Sequence, residues 1–164
     1  RHTLQTYFSG GYFPVDIITV LKNLNFANIT ELQQSVFEKF QLNWLELNHP
    51  GGSAGYSVIY NGKKLCYLCD NEYGEEQFEK LSEFCADADV VIWDGMFTQD
   101  ELSSKRGWGH SSIEQGIKFF HGSGIRNLII GHHAPSRTDN QLDDLAGSLP
   151  TGVFFAKDGM EIEV

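Results

Sequence analysis

The alternation of apolar and polar positions predicts a series of short strands and helices from residue 41 onward. Strands are predicted at 42–47, 56–60, 64–69, 90–93 and 127–130. Helices are predicted at 74–86, at 141–146, and from the capping-box spacing at 111–114 to about residue 121. The final residues predict a hairpin of 153–156 and 160–164 with its turn at 157–159. The weaker pattern of the first forty residues predicts only a short helix at 16–24 and a strand at 26–32.

The order of these elements indicates the architecture. Asn61-Gly62 separates two predicted strands and is the strongest short signal for a two-residue hairpin turn. An antiparallel region therefore comes first, and strands and helices then alternate. We expect an α/β fold in which helices cover one side of a mixed sheet. A length of 164 residues fits one such domain.

Composition narrows the classes of function. The 22 acidic residues exceed the 12 basic ones, for a net charge of −10. This balance argues against electrostatic binding of nucleic acid or of an anionic membrane by the overall charge of the protein. It does not exclude a locally basic binding site. No apolar run approaches the roughly 20 residues of a membrane span. Three cysteines, an odd number, and the lack of an export signal predict a reduced, cytoplasmic protein.

Four predicted strands run into residues that can bind metal ions. These residues are His49, Asp70, Asp94 and the pair His132-His133. In layered α/β folds ligands gather beyond the carboxyl ends of strands, and His with Asp suits a zinc-like ion. The alternative for each residue is ordinary turn chemistry or a hydrogen-bonded side chain. Cys66 and Cys69 lie three apart on one strand, which places them on opposite faces, where they cannot bind one ion together, so we interpret them as core or surface thiols.

Five segments, in chain order, carry a family resemblance. They are residues 47–56, 67–72, 86–94, 107–112 and 128–135. Together they resemble the C-terminal half of the metallo-β-lactamase superfamily, and within it the phosphodiesterase-like and tRNA 3′-end-processing branches. The resemblance implies a mixed β-sheet with covering helices, corresponding to one half of a four-layer αβ/βα sandwich.

The resemblance also implies roles for individual residues. His49, Asp70 and His132 match metal ligands, with Asp70 bridging two ions that are expected to be zinc, with manganese or iron as alternatives. His110 matches a histidine near the scissile phosphate, and Asp94 matches the acidic residue that supports its loop. Such ions lower the pKa of a bound water, and a histidine at the mouth protonates the leaving group.

Departures from the family pattern matter as much as matches. The His-x-His-x-Asp-His motif that supplies most of the family's ligands is not in this chain, which leaves each ion with two protein ligands. Trp93 stands where many relatives have a proton-donating histidine, and Ala134 where the nearest relatives have aspartate. We therefore expect residues 1–164 to form one metallo-β-lactamase-like domain without the N-terminal half. Either the chain is a piece of a longer hydrolase, or the scaffold persists without its chemistry.

The function predicted from this resemblance is metal-dependent hydrolysis of phosphodiesters through a metal-activated water, with His110 and Asp94 as catalytic residues. The expected substrate is a small-molecule or nucleotide phosphodiester. Nucleic acid stays open but is disfavoured by the acidic charge, no membrane is expected, and a homodimer stays open. The alternative is an inactive regulatory or interaction domain.

Two surface features complete the predictions. Lys105 and Arg106 are rare basic residues just before Trp108, and they could hold a substrate phosphate while Trp108 stacks on a base. The alternative is a solvated loop. The acidic residues Glu72, Glu75, Glu76 and Glu79 are interpreted as an exposed helix face that aids solubility.

Overall fold

The computed structural model of the protein describes Thr6 and residues 40–163. The helix predicted at 16–24 and the strand predicted at 26–32 lie outside these residues. The strands are β1 (Phe40–Leu47), β2 (Ser53–Tyr60), β3 (Lys63–Leu68), β4 (Val90–Asp94), β5 (Leu128–Gly131) and β6 (Val153–Phe155). The α-helices are α1 (Phe78–Cys85), α2 (Gln99–Leu102), α3 (Ile113–Ser123) and α4 (Asp139–Ala146), and a 3₁₀ turn (Glu75–Gln77) precedes α1. None of the described helices is long and apolar enough to cross a membrane.

The six strands form one mixed sheet in which spatial order equals chain order. β1, β2 and β3 pair antiparallel, whereas β3, β4, β5 and β6 pair parallel. The parallel part needs crossover connections, and helices supply them between β3 and β4, between β4 and β5, and between β5 and β6. This arrangement confirms the predicted mixed α/β sheet.

The β2–β3 hairpin forms as predicted. Tyr60 pairs with Lys63, so the loop has two residues. Both of them, Asn61 and Gly62, have positive φ, at 50° and 77°. That conformation matches the twist of the flanking strands, and Asn-Gly adopts it at low cost.

One face of the sheet carries the hydrophobic core. Alternation within each strand sends every second side chain toward the helices. The buried members are Leu45, Leu47, Cys66, Leu68, Val91, Trp93, Leu128, Ile130, Val153 and Phe155. Trp93 lies at the centre, stacked on Phe119 of α3 with ring centroids 5.1 Å apart, and its Nε1 donates to the Ser112 carbonyl at 3.2 Å. Trp93 therefore packs in the core.

The opposite face of the sheet is apolar and largely open. Large side chains there keep between 37% and 44% of their area exposed: Trp44, Tyr56, Tyr60, Leu65, Tyr67 and Phe154. A hollow of about 600 Å³ lies over this face, lined in part by Ile92, Ile129, Met160 and Ile162.

The helix starts follow capping chemistry, with one shift from the prediction. Ser112, not Ser111, caps α3: its hydroxyl accepts from Gln115 N, and the Gln115 side chain accepts from Ser112 N. The capping box is therefore one residue later than the predicted spacing. Ser111 is buried and donates instead to the Asn71 carbonyl, which ties the α3 entrance to the end of β3.

The predicted closing hairpin is wrong. Val153–Phe155 pairs parallel with β5, and residues 160–163 form no strand. The turn itself exists, because Met160 N donates to the Lys157 carbonyl at 3.0 Å and Gly159 has φ 74°. After this turn the apolar side chains of Met160 and Ile162 lie against the open sheet face rather than pairing with β6. The alternating apolar residues that predicted a strand are thus explained by the burial of apolar surface against the sheet.

Candidate active site

The topology brings the carboxyl ends of four strands to one edge of the sheet. β1 runs parallel to β3, because each is antiparallel to β2, and β4 and β5 continue in the same direction. The residues at or just past these ends are His49, Asp70, Asp94 and His132. This is the edge where α/β sheets place ligands.

Four side chains converge there. Asp70, Asp94, His110 and His132 each offer one ligand atom, and these atoms all lie within 4.8 Å of one another. Three of the four follow strands, and His110 arrives on the loop before α3. The structure thus brings together four of the five site residues that the sequence predicted.

Asp94 is the buried centre of this cluster. Its side chain is 0% exposed. Oδ2 lies 2.9 Å from His110 Nδ1 and 3.2 Å from His132 Nδ1, and it also accepts from Asn71 N at 3.2 Å. Oδ1 accepts from Met96 N at 3.2 Å. A carboxylate this deeply buried is stable only with such a full set of donors.

The contacts of Asp94 orient both imidazoles. A carboxylate only accepts hydrogen bonds, so Nδ1 of His110 and Nδ1 of His132 are the donors to it. Nε2 of each ring is then left to bind an ion or to exchange a proton. The rings lie edge to face with centroids 4.8 Å apart.

Asp70 and His132 are held in an uncommon backbone conformation. Their φ angles are 59° and 56°, in the left-handed region that residues with a Cβ rarely adopt. Their side chains meet, with Asp70 Oδ1 3.3 Å from His132 Nδ1. Each such conformation costs on the order of 1 kcal/mol and persists where surrounding structure enforces it, often at functional sites.

His49 lies beside the cluster rather than within it. Its ring is 5.4 Å from the His110 ring, centroid to centroid, in an edge-to-face arrangement. Its ligand atoms are not among those within 4.8 Å of one another. The sequence analysis grouped His49 with Asp70 and His132 as metal ligands. In the structure Asp94 and His110 lie with Asp70 and His132 instead, and His49 lies at the margin.

The donor set fits a divalent metal ion. It holds two imidazoles and two carboxylates, which are zinc ligands in proteins. One ligand atom from each of the four side chains lies within 4.8 Å of the others, which brings both carboxylates to one point of the sheet edge. Two carboxylates this close repel each other, and a cation between them removes the repulsion.

Glu72 is the residue that the sequence analysis placed wrongly. It does not belong to an exposed helix face, because it lies before the 3₁₀ turn and its carboxylate binds the loop that leads to His110. Gly107 N and Gly109 N both donate to it. Its position two residues after Asp70 was the available signal.

His133, the neighbour of His132, lies outside the cluster. Its ring packs against Phe155 with 5.3 Å between the ring centroids, and burial lowers its pKa.

The three cysteines also lie outside the cluster. Cys66, Cys69 and Cys85 are buried and free. Burial raises the pKa of the Cys69 thiol to about 12. Of the two predicted placements, core and surface, the structure therefore gives the core to Cys66 and Cys69.

A comparison of this chain with known protein families matches the part of the chain that holds the site residues. The family model of the β-lactamase superfamily domain matches residues 19–133, a span that contains all five site residues. The chain belongs to this superfamily.

Two ribonucleases Z are among the relatives of this β-lactamase superfamily chain. That of Thermoplasma volcanium is 29% identical over 107 residues, which is 65% of this chain and 34% of the relative. That of Gemmatimonas aurantiaca is 30% identical over 80 residues, 48% of this chain and 26% of the relative. The chain therefore spans about a third or less of the length of the curated relatives it matches.

Solved structures agree on the fold. The metallo-β-lactamase fold protein YhfI of Bacillus subtilis superposes with a TM-score of 0.63 at 20% identity, covering 77% of this chain and 49% of YhfI. The short form of human tRNase Z superposes with a TM-score of 0.58 at 22% identity, covering 80% of this chain and 44% of that protein. The mixed sheet described above is thus a metallo-β-lactamase-type fold.

Proposed function

We propose that the chain forms part of a metal-dependent hydrolase of phosphodiesters. The observation that carries this proposal is the convergence of two carboxylates and two imidazoles at the carboxyl edge of the sheet. The similarity to ribonucleases Z favours a phosphodiester over other hydrolysable bonds. The substrate is a small-molecule or nucleotide phosphodiester, and RNA is the larger alternative.

Asp70 and His132 are proposed as ligands of the ion, with His49 at the margin of the same site. Zinc is the ion that this donor set suits best. A bound divalent ion would supply an acidified water and polarise a phosphoryl oxygen. Further ligands come from outside the described residues or from solvent, because the cluster has too few for two ions.

His110 is proposed to protonate the leaving oxygen. Its Nδ1 donates to Asp94, which fixes the ring and stabilises it once it carries a second proton. Asp94 therefore has the part of an orienting carboxylate beneath a histidine, an arrangement that recurs in hydrolases. His110 keeps only 13% of its side chain exposed, which limits its freedom to reorient.

The cellular setting proposed is the reduced cytoplasm. Its support is the chemistry of the three cysteines, all of them buried thiols without a disulfide.

The test is the metal content and the turnover of the natural-length protein. We expect about two zinc ions per chain by elemental analysis, and hydrolysis of bis(p-nitrophenyl) phosphate that a chelator abolishes. His132→Ala should lose bound metal, whereas His121→Ala, an exposed histidine in the last turn of α3, should keep it.

Metal-free protein without turnover would contradict the proposal. It would favour the alternative of a regulatory or interaction domain on the same scaffold. Cyclic nucleotides and a 3′-extended tRNA, assayed beside the synthetic ester, would separate a nucleotide-sized substrate from RNA.

A further inference from the structure

A single carboxylate holds the loop that leads to His110. Glu72 lies on the segment between β3 and α1, and its Oε1 and Oε2 accept from Gly107 N at 2.9 Å and 2.8 Å. Oε2 also accepts from Gly109 N at 2.9 Å. These contacts join residues 35 and 37 positions apart along the chain.

The loop is shaped to present these N–H groups. Gly107 and Gly109 have φ of 82° and 89°. In a turn where left-handed residues alternate with an ordinary one, as Gly107 and Gly109 do with Trp108, backbone N–H groups point toward one place, and such a concavity binds an anion. Here the anion is the protein's own carboxylate, and charged acceptors make stronger hydrogen bonds than neutral ones.

The far side of the loop rests on His49. A Cβ on Gly109 would lie 2.6 Å from Pro50 Cδ and 2.8 Å from His49 Nε2. Gly109 is therefore pressed against the segment 49–50 while its N–H is held by Glu72. His110, the next residue, has its Nδ1 2.9 Å from Asp94.

Glu72 is itself fixed in place by its backbone. Its N–H donates to the Asn48 carbonyl at 2.7 Å, and its carbonyl accepts from Asn48 Nδ2 at 3.0 Å and from Gln77 Nε2 at 3.2 Å. The carboxylate thus extends from a segment that is bound to the loop after β1 and to the 3₁₀ turn.

We propose that Glu72 is a positioning residue: by binding Gly107 and Gly109 it fixes the loop, and through the loop it sets His110 against Asp94 and keeps Gly109 packed on His49. This role rests on the proposed phosphodiesterase for its catalytic consequence. Its structural consequence, a closed loop, is independent of activity.

The experiment compares Glu72→Gln with Glu79→Gln in the full protein. Glutamine keeps the size of the side chain but loses its charge. With its oxygen at the Oε2 position, its NH₂ group takes the place of Oε1 and faces the Gly107 N–H, so two donors meet and the loop is held more weakly. Glu79 is an acidic residue of α1 with an exposed side chain, which makes its variant a matched control for the loss of one charge.

Two readouts are needed. Trypsin cleaves after Lys105 and Arg106, within the held loop, so the initial cleavage rate there reports how often the loop opens. We expect Glu72→Gln to raise this rate about tenfold and to lower kcat about tenfold with little change in KM. Glu79→Gln should match the wild type in both. Glu72→Asp, which keeps the charge but is one methylene shorter, should be intermediate in both, and it serves as the test if the glutamine variant does not fold.

An unchanged trypsin rate in Glu72→Gln would overturn the proposal, and so would a loosened loop with unaltered kcat. Equal losses in Glu79→Gln would reduce the effect to general charge and overturn it as well. A wild-type protein without turnover would overturn the proposed function instead, and the trypsin rates would still decide whether Glu72 holds the loop.

Discussion

The site has two polar regions that differ in their exposure to solvent. The inner region is Asp94 with the two histidines that contact it, and its carboxylate is completely buried. The outer region is the loop of residues 103–109, where Trp108 keeps 57% of its area exposed and Lys105 Nζ lies 4.1 Å from the ring centroid.

The regions differ in what fixes them. The register of β4 against β5 places Asp94 beside Gly131, and therefore next to His132. The outer loop has no strand to define it, and a carboxylate and two left-handed glycines define it instead. A polar group in the inner region is costly to disturb because it has no water to replace its partners, whereas most outer groups have water.

The largest effect is therefore expected from Asp94→Asn. The amide keeps the shape of the side chain but removes the negative charge that both imidazoles contact. With its oxygen toward the imidazoles, its NH₂ group faces the Met96 N–H, so two donors meet in a buried place. We expect kcat/KM to fall about a thousandfold, by analogy with other orienting carboxylates, and metal affinity to fall about tenfold or more. Steady-state kinetics and metal titration measure both.

The control for Asp94→Asn is Asp87→Asn, which also removes an aspartate charge but at an exposed turn. If Asp94→Asn kept kcat/KM within threefold of the wild type, the inner region would not be the catalytic one.

A smaller effect is expected from alanine substitutions in the outer loop, and it should differ between Gly107 and Gly109. A Cβ at Gly107 meets nothing within 4 Å, so Gly107→Ala is expected to lose only about 1 kcal/mol of stability from its positive φ. Gly109→Ala adds a collision with Pro50 and His49 and should cost about 2 kcal/mol or more, with reduced turnover. Denaturant unfolding of the pair gives the difference directly.

Equal losses of stability in these two variants would show that His49 and Pro50 give way easily. The contact between Gly109 and His49 would then not constrain the loop.

The smallest effect is expected from Lys105→Ala combined with Arg106→Ala. Exposed cations contribute about 1 kcal/mol or less to a bound phosphate, so KM should rise about threefold with kcat unchanged. Titration with a phosphodiester at two salt concentrations measures the loss. Binding that stays intact, with its salt dependence unaltered, would remove these two residues from the substrate site.

The comparison also shows where sequence reasoning succeeded and failed. Asp70, Asp94 and His132 were predictable, because each follows an apolar run and parallel strand ends share an edge. His110 came from the family resemblance. Glu72 was missed because its partners are backbone N–H groups 35 and 37 residues away, and no periodic pattern records such a contact.

The closing segment failed for a related reason. Its alternation of apolar and charged residues fits a strand, but alternation cannot say whether a strand partner or an apolar surface lies nearby. In the structure Met160 and Ile162 line the hollow on the open face. The choice between pairing and surface burial depends on neighbours that are remote in sequence.

The sequence by itself determined strands β1 to β5, the hairpin at Asn61-Gly62 and the residue types of the site, because these depend on local periodicity and turn chemistry. Only the tertiary structure decided that Asp94 bonds both His110 and His132, that His49 lies at the margin, and that Glu72 holds the loop. Those outcomes depend on strand register and on hydrogen bonds between distant segments, which are set when the sheet assembles and its buried polar groups find partners.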